Sequence, residues 1–168
     1  MKFELIISIC LFLIIILNII REIIIENYWR NIRSTESDIK IKIKMLSNNM
    51  LEITPQDFFK IRNTRVEGRW KKFISAQYDF TGVYIIHNHT KEMYYVGQGK
   101  KVFQRVNNHF TGHGNGDVYA DYKYGDEFTI KMIALENSGF NTLNDLERNA
   151  IATYNAYAKG YNKTRGNK

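Results

Sequence analysis

The chain has 168 residues, of which 44% are hydrophobic, and it carries a formal net charge of +7. This length allows one domain with a sizeable core plus an appendage, and the charge favours an anionic partner such as nucleic acid or an acidic membrane surface. The single cysteine, Cys10, excludes an intrachain disulfide and a four-cysteine zinc site.

The N-terminal segment is predicted to be a membrane anchor. Residues 5–20 are almost entirely apolar, and as a helix they would span roughly 24 Å of the ~30 Å hydrocarbon core, with Lys2 and Arg21 reaching the two interfaces. A cleaved signal peptide is the alternative, but no small-residue cleavage site follows the segment. We therefore expect residues 1–25 to form an uncleaved transmembrane helix that contacts the bilayer through residues 5–25.

Basic residues flank this segment unevenly. Lys2 precedes it, whereas the basic residues that follow it are Arg21, Arg30, Arg33, Lys40, Lys42 and Lys44. By the positive-inside rule, this distribution places the C-terminal part of the chain in the cytoplasm. The lack of disulfide-forming cysteines agrees with that side of the membrane. We therefore expect a single-pass membrane protein with a cytoplasmic C-terminal domain.

Residues 26–78 are predicted to be a partly helical, basic linker. Within it, residues 38–45 alternate between polar and apolar side chains, a pattern that fits either a strand or the start of a helix. Thr54 followed by Pro55 indicates the N-cap and first position of a short helix that ends near Ile61.

The end of this linker is strongly basic. Six lysine or arginine residues lie between positions 60 and 72 against one acid, Glu67. The run is either a solvated surface or, because Trp70 and Phe73 are interleaved with it, a set of phosphate contacts. The residues that we assign to nucleic-acid binding are Arg69, Lys71, Lys72, Lys100 and Lys101.

Two strands are predicted over residues 79–87 and 92–98, joined by a short polar turn. A turn centred on this loop would place Tyr84 directly opposite Tyr95, with both rings on one face of the sheet. The pair is either ordinary cross-strand packing or part of a functional site. Glycines at the end of the second strand leave backbone uncovered, where another molecule can approach closely.

An amphipathic helix is predicted over residues 101–110, in which Arg105 and His109 are four residues apart and therefore lie on one side. From the sequence alone we assign no role to the glycine-rich loop that follows, over residues 112–117. A third, apolar strand is predicted over residues 127–136.

The last predicted helix begins with a capping box at Thr142. In helical projection Glu147 lies within the apolar face, about 40° from Leu143 and about 20° from Tyr154. A carboxylate on a core-facing side costs several kcal/mol unless it is paired or binds a metal. Glu147 is therefore either a metal ligand or the partner of Arg105 or a lysine in a buried salt bridge.

The spacing of the histidine residues does not predict a zinc site. His109 and His113 have the spacing of a zinc pair, but Gly112 ends the helix between them. His87 and His89 lie at the predicted turn, and we expect both to be solvated.

In this order, the candidate residues resemble the motifs of the GIY-YIG nuclease domain. The residues that carry the resemblance are Gly82-Val83-Tyr84, Tyr95-Val96-Gly97, Arg105, His109, Glu147 and Asn162. Valine replaces isoleucine in both tripeptides, a conservative change on a strand. The resemblance covers about residues 80–165.

The resemblance implies an α+β fold, in which a small three-stranded antiparallel sheet is flanked by helices, here preceded by one transmembrane helix. The nuclease domain would occupy residues 79–168. It would hydrolyse DNA phosphodiester bonds with one divalent cation, Mg²⁺ or another such as Mn²⁺, bound by Glu147.

The resemblance assigns catalytic roles to Tyr84, Tyr95, Arg105, His109, Glu147 and Asn162. Tyr84 would be the general base, and Arg105 would clamp the scissile phosphate with its planar guanidinium. Because the ordinary pKa of tyrosine is about 10, we expect nearby cationic charge to lower the pKa of Tyr84. Tyr95 would orient water or phosphate, His109 would assist proton transfer or phosphate binding, and Asn162 would support these groups.

The sequence therefore predicts a membrane-anchored, metal-dependent DNA endonuclease at the cytoplasmic face. The alternative is a catalytically inactive, membrane-anchored nucleic-acid-binding or scaffold protein, whose DNA binding would be sensitive to salt and indifferent to metal. Docking of the basic linker on anionic lipid is compatible with both.

Overall fold

A computed structural model describes residues 2–65 and 73–166 of the chain, with side chains described from residue 15 onward. Arg69, Lys71 and Lys72, which the sequence assigns to nucleic-acid binding, lie outside the described residues. The chain divides into two compact units, Met1–Ile39 and Lys40–Lys168.

The first unit is helical. Helix α1 covers Lys2–Asn48 and so continues into the second unit. Part of the predicted anchor, residues 5–14, lies outside the range whose side chains are described. Within the described range, no helix is both long enough and apolar enough to cross a membrane.

The alternating residues 38–45 are helical rather than extended. Their helical spacing explains the result, because Ile43 and Ser47 are four residues apart and are both fully buried. Leu46 and Met50 pack beside Ile43 against the same core. Residues 40–48 are thus helical because they pack inside the second unit, and this packing decides between the strand and the helix that the pattern allows.

The second unit is built on the predicted three-stranded antiparallel sheet. Its strands are β1 (Gly82–Asn88), β2 (Met93–Gly99) and β3 (Phe128–Ala134), arranged in the order β2-β1-β3. Strand β1 is central and pairs antiparallel with both neighbours. Strand β2 is therefore an edge strand.

The hairpin register differs from the prediction. Tyr84 lies opposite Gly97, and Tyr95 lies opposite Ile86. Residues 89–92 join the two strands, and Glu92 adopts a φ of 52° there. The turn is therefore centred one residue later than predicted. As a result, each residue of β1 pairs with a residue of β2 that lies two positions later than expected. Because side chains alternate with a period of two, this even shift keeps both tyrosines on one face. Their ring centroids are 6.2 Å apart.

The described residues form further helices around the sheet, which are α2 (Pro55–Asn63), α3 (Ile74–Gln77), α4 (Val102–Phe110), α5 (Gly116–Tyr124) and α6 (Leu143–Thr153). Two of them begin as their caps predict. The Thr54 hydroxyl accepts a hydrogen bond from the Asp57 amide at 3.1 Å, and the Thr142 hydroxyl accepts one from the Asp145 amide at 3.0 Å.

Both faces of the sheet are covered. Tyr84 and Ile86 of β1 pack with side chains from α2, α4 and α5, whereas Val83 and Ile85 pack with α6 and the end of α1. The alternation of the strand thus divides the interior into two cores.

The segment predicted as a linker contributes to both cores. Ile43 and Phe58 are fully buried, and Ile53 exchanges two backbone hydrogen bonds with Ile130 on the outer edge of β3, at 2.8 and 3.1 Å. The compact unit therefore begins near residue 40, about forty residues before the predicted boundary of the nuclease domain. The physical reason is that the sheet needs cover on both faces and at its β3 edge.

Candidate active site

A cleft of about 380 Å³ lies at the end of β2 that carries Gly97 and Gly99, between the start of α4 and the start of α6. It is lined by Tyr84, Tyr95, Gly97, Gln98, Gly99, Lys100, Arg105, Leu143 and Glu147. Four of the six predicted catalytic residues, together with the predicted DNA contact Lys100, therefore meet in one place. Lys101 is exposed beside the cleft and does not line it.

The position of the Tyr84 hydroxyl depends on Gly97. A Cβ atom at position 97, directly across the strand pair, would lie 2.3 Å from Tyr84 Oη. Only glycine leaves the space that the phenol occupies. The side chain of Tyr84 is fully buried, yet it forms part of the wall of the cleft.

The stem of Arg105 depends in the same way on Gly99. A Cβ atom at position 99 would lie 2.6 Å from Arg105 Cγ. The bare backbone at the end of β2 thus lets this exposed arginine cross from α4 into the cleft. The two glycines of the second strand therefore make room for two side chains of the same site.

His109 lies behind Tyr84. Its Nε2 is 2.8 Å from Tyr84 Oη, and its Nδ1 accepts a hydrogen bond from the backbone N–H of Asn115 at 2.8 Å. Because Nδ1 is an acceptor, the neutral ring carries its proton on Nε2 and donates it to Tyr84. His109 is therefore a hydrogen-bond donor to the phenol and cannot take the phenol's proton.

The ionisation of His109 agrees with this tautomer. Burial, together with the positive charge of Arg105, lowers the pKa of His109 to about 4. The imidazole is thus neutral at physiological pH.

The environment of Tyr84 is different from the one predicted. Burial raises the pKa of Tyr84 above its ordinary value, the neighbouring Tyr95 adds to this effect, and the Arg105 guanidinium opposes it. Burial also raises the pKa of Tyr95. The Arg105 guanidinium thus acts on the pKa of Tyr84 in the expected direction, but desolvation of the phenol outweighs it.

The glycine-rich loop holds His109 in place. A Cβ atom at Gly114 would lie 2.6 Å from His109 Nδ1, so the loop passes directly against the ring. The next residue, Asn115, donates to Nδ1 and also caps α5, because its Oδ1 accepts hydrogen bonds from the amides of Asp117 and Val118. Sequence reasoning assigned no role to this loop, although asparagine before a helical pattern is a typical N-cap.

Glu147 approaches the cleft from α6 and is only 8% exposed. The prediction that it is not a solvated surface acid is confirmed. The side-chain amide of Gln98 donates to Glu147 Oε2 and to Asn144 Oδ1, both at 2.9 Å. Gln98 therefore orients this carboxylate, and Asn144 holds the Gln98 amide; sequence analysis assigned neither side chain to the site.

The donor set at the cleft fits a divalent cation. Mg²⁺ is usually held by one or two carboxylates and keeps several water molecules, with substrate phosphate completing its shell. Glu147 offers one fixed carboxylate at the wall of an open cleft of sufficient size. The residues present therefore fit one Mg²⁺ or Mn²⁺ ion bound through Glu147.

Asn162 lies outside the lining of the cleft. Its Oδ1 accepts a hydrogen bond from the Val96 amide at 2.8 Å, and its Nδ2 donates to the Val96 carbonyl at 2.7 Å. The side chain thus pairs with the edge strand as a neighbouring strand would. Because Val96 lies between Tyr95 and Gly97, Asn162 supports the site through the backbone and is not a catalytic residue.

The lowered pKa of His109 predicts a loss of stability in acid. The unfolded chain binds a proton below a pKa of about 6.5 and the folded chain only near 4, so the free energy of unfolding falls between these values as the pH drops, by up to about 3 kcal/mol. Urea unfolding of the full chain between about pH 7 and pH 4 measures this slope. The slope of the free energy of unfolding against pH should be smaller in His109→Gln and unchanged in the control His113→Gln, which removes an exposed histidine. Equal slopes in the wild-type chain and both variants would contradict the assignment.

Comparison with known proteins agrees with the geometry of the cleft. No curated protein and no solved structure gave a significant match. A family model does match, and its span contains every residue of the cleft together with His109 and Asn162. Residues 80–162 of this chain match the GIY-YIG catalytic domain, the family that the sequence motifs resemble.

Proposed function

We propose that this chain is a DNA endonuclease that hydrolyses phosphodiester bonds with the help of a divalent cation. The observation that carries the proposal is the convergence of Tyr84, Arg105 and Glu147, from three different elements, on one cleft. The match to the GIY-YIG catalytic domain supports the same class of reaction.

The cation would be held by Glu147. When bound, Mg²⁺ or Mn²⁺ stabilises the negative charge that develops on the leaving oxygen of a phosphodiester. Arg105 would bind the scissile phosphate, for which its planar, bidentate guanidinium is suited. Lys100, also at the cleft, would add positive charge that attracts the DNA backbone.

Tyr84 would take the proton of the attacking water, a role that requires a deprotonated phenol. Burial opposes this ionisation, whereas the Arg105 guanidinium favours it. The His109 Nε2–H, 2.8 Å from the phenol oxygen, would stabilise the phenolate by donating to it. His109 thus assists the base as a donor, in place of the proton acceptor that the sequence allowed.

Glu147→Gln tests the core of this proposal. Loss of the negative charge should reduce nicking of supercoiled DNA by the full chain in Mg²⁺ by at least roughly a hundredfold, while DNA binding is retained. Glu127→Gln is the matched control, because Glu127 is exposed and does not line the cleft. Removal of the cation with EDTA should abolish nicking by the wild-type chain.

Two results would contradict the enzyme assignment. One is salt-sensitive DNA binding by the wild-type chain without any nicking, which is the behaviour of the inactive binding protein. The other is nicking by Glu147→Gln at the wild-type rate.

Gly97→Ala tests whether the position of the Tyr84 hydroxyl matters. The added methyl would lie 2.3 Å from Tyr84 Oη, so the phenol must move, and we expect a loss of nicking of roughly a hundredfold or more. Gly116→Ala is the control, because a Cβ there meets no atom within 4 Å. Retention of the wild-type rate by Gly97→Ala, with circular dichroism showing both variants folded, would argue against Tyr84 as the base.

We further propose that the N-terminal helix attaches the chain to a membrane, with the catalytic unit on the cytoplasmic side. The apolar sequence of residues 5–20 supports this proposal. The exposure of isoleucine and leucine side chains between residues 15 and 25 supports it as well. These exposed side chains are Ile15, Leu17, Ile19, Ile20, Ile23, Ile24 and Ile25. An exposed apolar surface of this kind favours contact with lipid or with another apolar surface.

Membrane attachment is tested by expressing the full chain and extracting the membrane fraction with alkaline carbonate. The wild-type chain should stay in the pellet, whereas the double variant Leu13→Asp/Leu17→Asp should be released, because aspartate in a membrane span costs about 3 kcal/mol per residue. Release of the wild-type chain would overturn the proposal, and Ile32→Asp outside the predicted span is the control.

A further inference from the structure

A second group of metal-ligating side chains lies around the hairpin turn. It consists of His87 near the end of β1, His89 in the loop that follows, and Glu52 in the segment between α1 and α2. One ligand atom of each lies within 4.8 Å of the others, and the two imidazole centroids are 4.0 Å apart. The fold therefore brings Glu52, from a distant part of the sequence, beside the two histidines of the hairpin.

His87 is not the solvated turn residue that the sequence predicted. Its side chain is 13% exposed and stacks on Tyr94, with ring centroids 4.0 Å apart. Its Nε2 is buried without a hydrogen-bond partner among the described residues, and the nearest carboxylate oxygen, on Glu92, is 3.5 Å away. A buried polar atom without a partner is costly, and a bound ligand is one explanation for its retention.

Neighbouring groups already orient two of the three ligands. The Thr129 hydroxyl donates to Glu52 Oε1 at 2.6 Å and lies 2.8 Å from His89 Nε2. Lys131 Nζ is 3.2 Å from the other carboxylate oxygen, Oε2, while His89 faces Oε1. Hydrogen bonds of this kind to ligating carboxylates are typical around metal sites.

A cavity of about 140 Å³ adjoins the group, and Glu52, His87, Thr129 and Lys131 are among its lining residues. This volume holds a water molecule as well as an ion. The site faces the end of the hairpin, where His87 pairs with Tyr94, whereas the catalytic cleft lies at the end where Tyr84 pairs with Gly97. The two places are therefore distinct.

We propose that Glu52, His87 and His89 form a second metal site, which takes a borderline transition-metal ion, Zn²⁺ in the first place. Two imidazoles and one carboxylate with an open fourth position are a common donor set for Zn²⁺, whereas Mg²⁺ prefers oxygen ligands alone. Binding requires each ligand atom to lie about 2.0–2.2 Å from the metal ion. The side chains of His89 and Glu52 are exposed and can reach this distance by rotation. The ion would tie the segment before α2 to the hairpin turn.

The test titrates the full, metal-free chain with Co²⁺, which reports tetrahedral nitrogen and oxygen coordination by its visible absorption. We expect one bound Co²⁺ with this spectrum, displaced by Zn²⁺, and at least tenfold weaker binding in His89→Ala and in Glu52→Gln. The control His113→Ala, which removes an exposed histidine outside the group, should bind as the wild-type chain does.

The outcomes separate this site from the catalytic one. Glu147→Gln should keep the Co²⁺ spectrum, so a spectrum that disappears in this variant would assign the ion to the cleft and overturn the proposal. Wild-type affinity in His89→Ala, equal loss in His113→Ala, or no tetrahedral spectrum in the wild-type chain would overturn it as well. None of these measurements depends on nuclease activity.

Discussion

The hydrogen bond between Tyr84 and His109 is the contact around which the active-site cleft is arranged. It joins the central strand β1 to α4 inside the core that includes side chains of α2, α4 and α5. The two atoms are 2.8 Å apart, and both side chains are buried. Gly97 provides the space for the phenol, and the loop through Gly114 and Asn115 closes over the imidazole. A buried polar pair of this kind is stable only when every donor and acceptor is satisfied.

The same burial sets the chemical problem of the site. An apolar surrounding keeps His109 neutral and disfavours a charged Tyr84. The Arg105 guanidinium, which lines the cleft, counteracts the effect of burial on the pKa of Tyr84 only in part. In the proposed reaction, Tyr84 would therefore stay protonated until the charge of substrate and cation reaches the cleft.

The sequence predicts those features that depend on local patterns. The two capping threonines, the alternating hairpin and the position of Glu147 on a core-facing stripe need only neighbouring residues, and all are confirmed. The exact hairpin register is not local in this sense, because it depends on Glu92 adopting a left-handed conformation in a four-residue loop. Packing of Ile43 and Phe58 on distant strands, and the orientation of Glu147 by Gln98, depend on tertiary structure and leave no signal in a single sequence.

The pairing of Asn162 with Val96 has a consequence for the order in which the protein forms. Strand β2 carries Tyr95 and both glycines of the cleft, and its outer edge is completed by Asn162 together with the backbone bond from Tyr161 to Tyr94. These partners are about 65 residues later in the chain. During synthesis the strand must therefore wait several seconds with its edge open, at roughly 5–20 residues per second. The cleft is complete only after Asn162 has left the ribosome, so the activity that we propose would begin only once this residue has paired with β2.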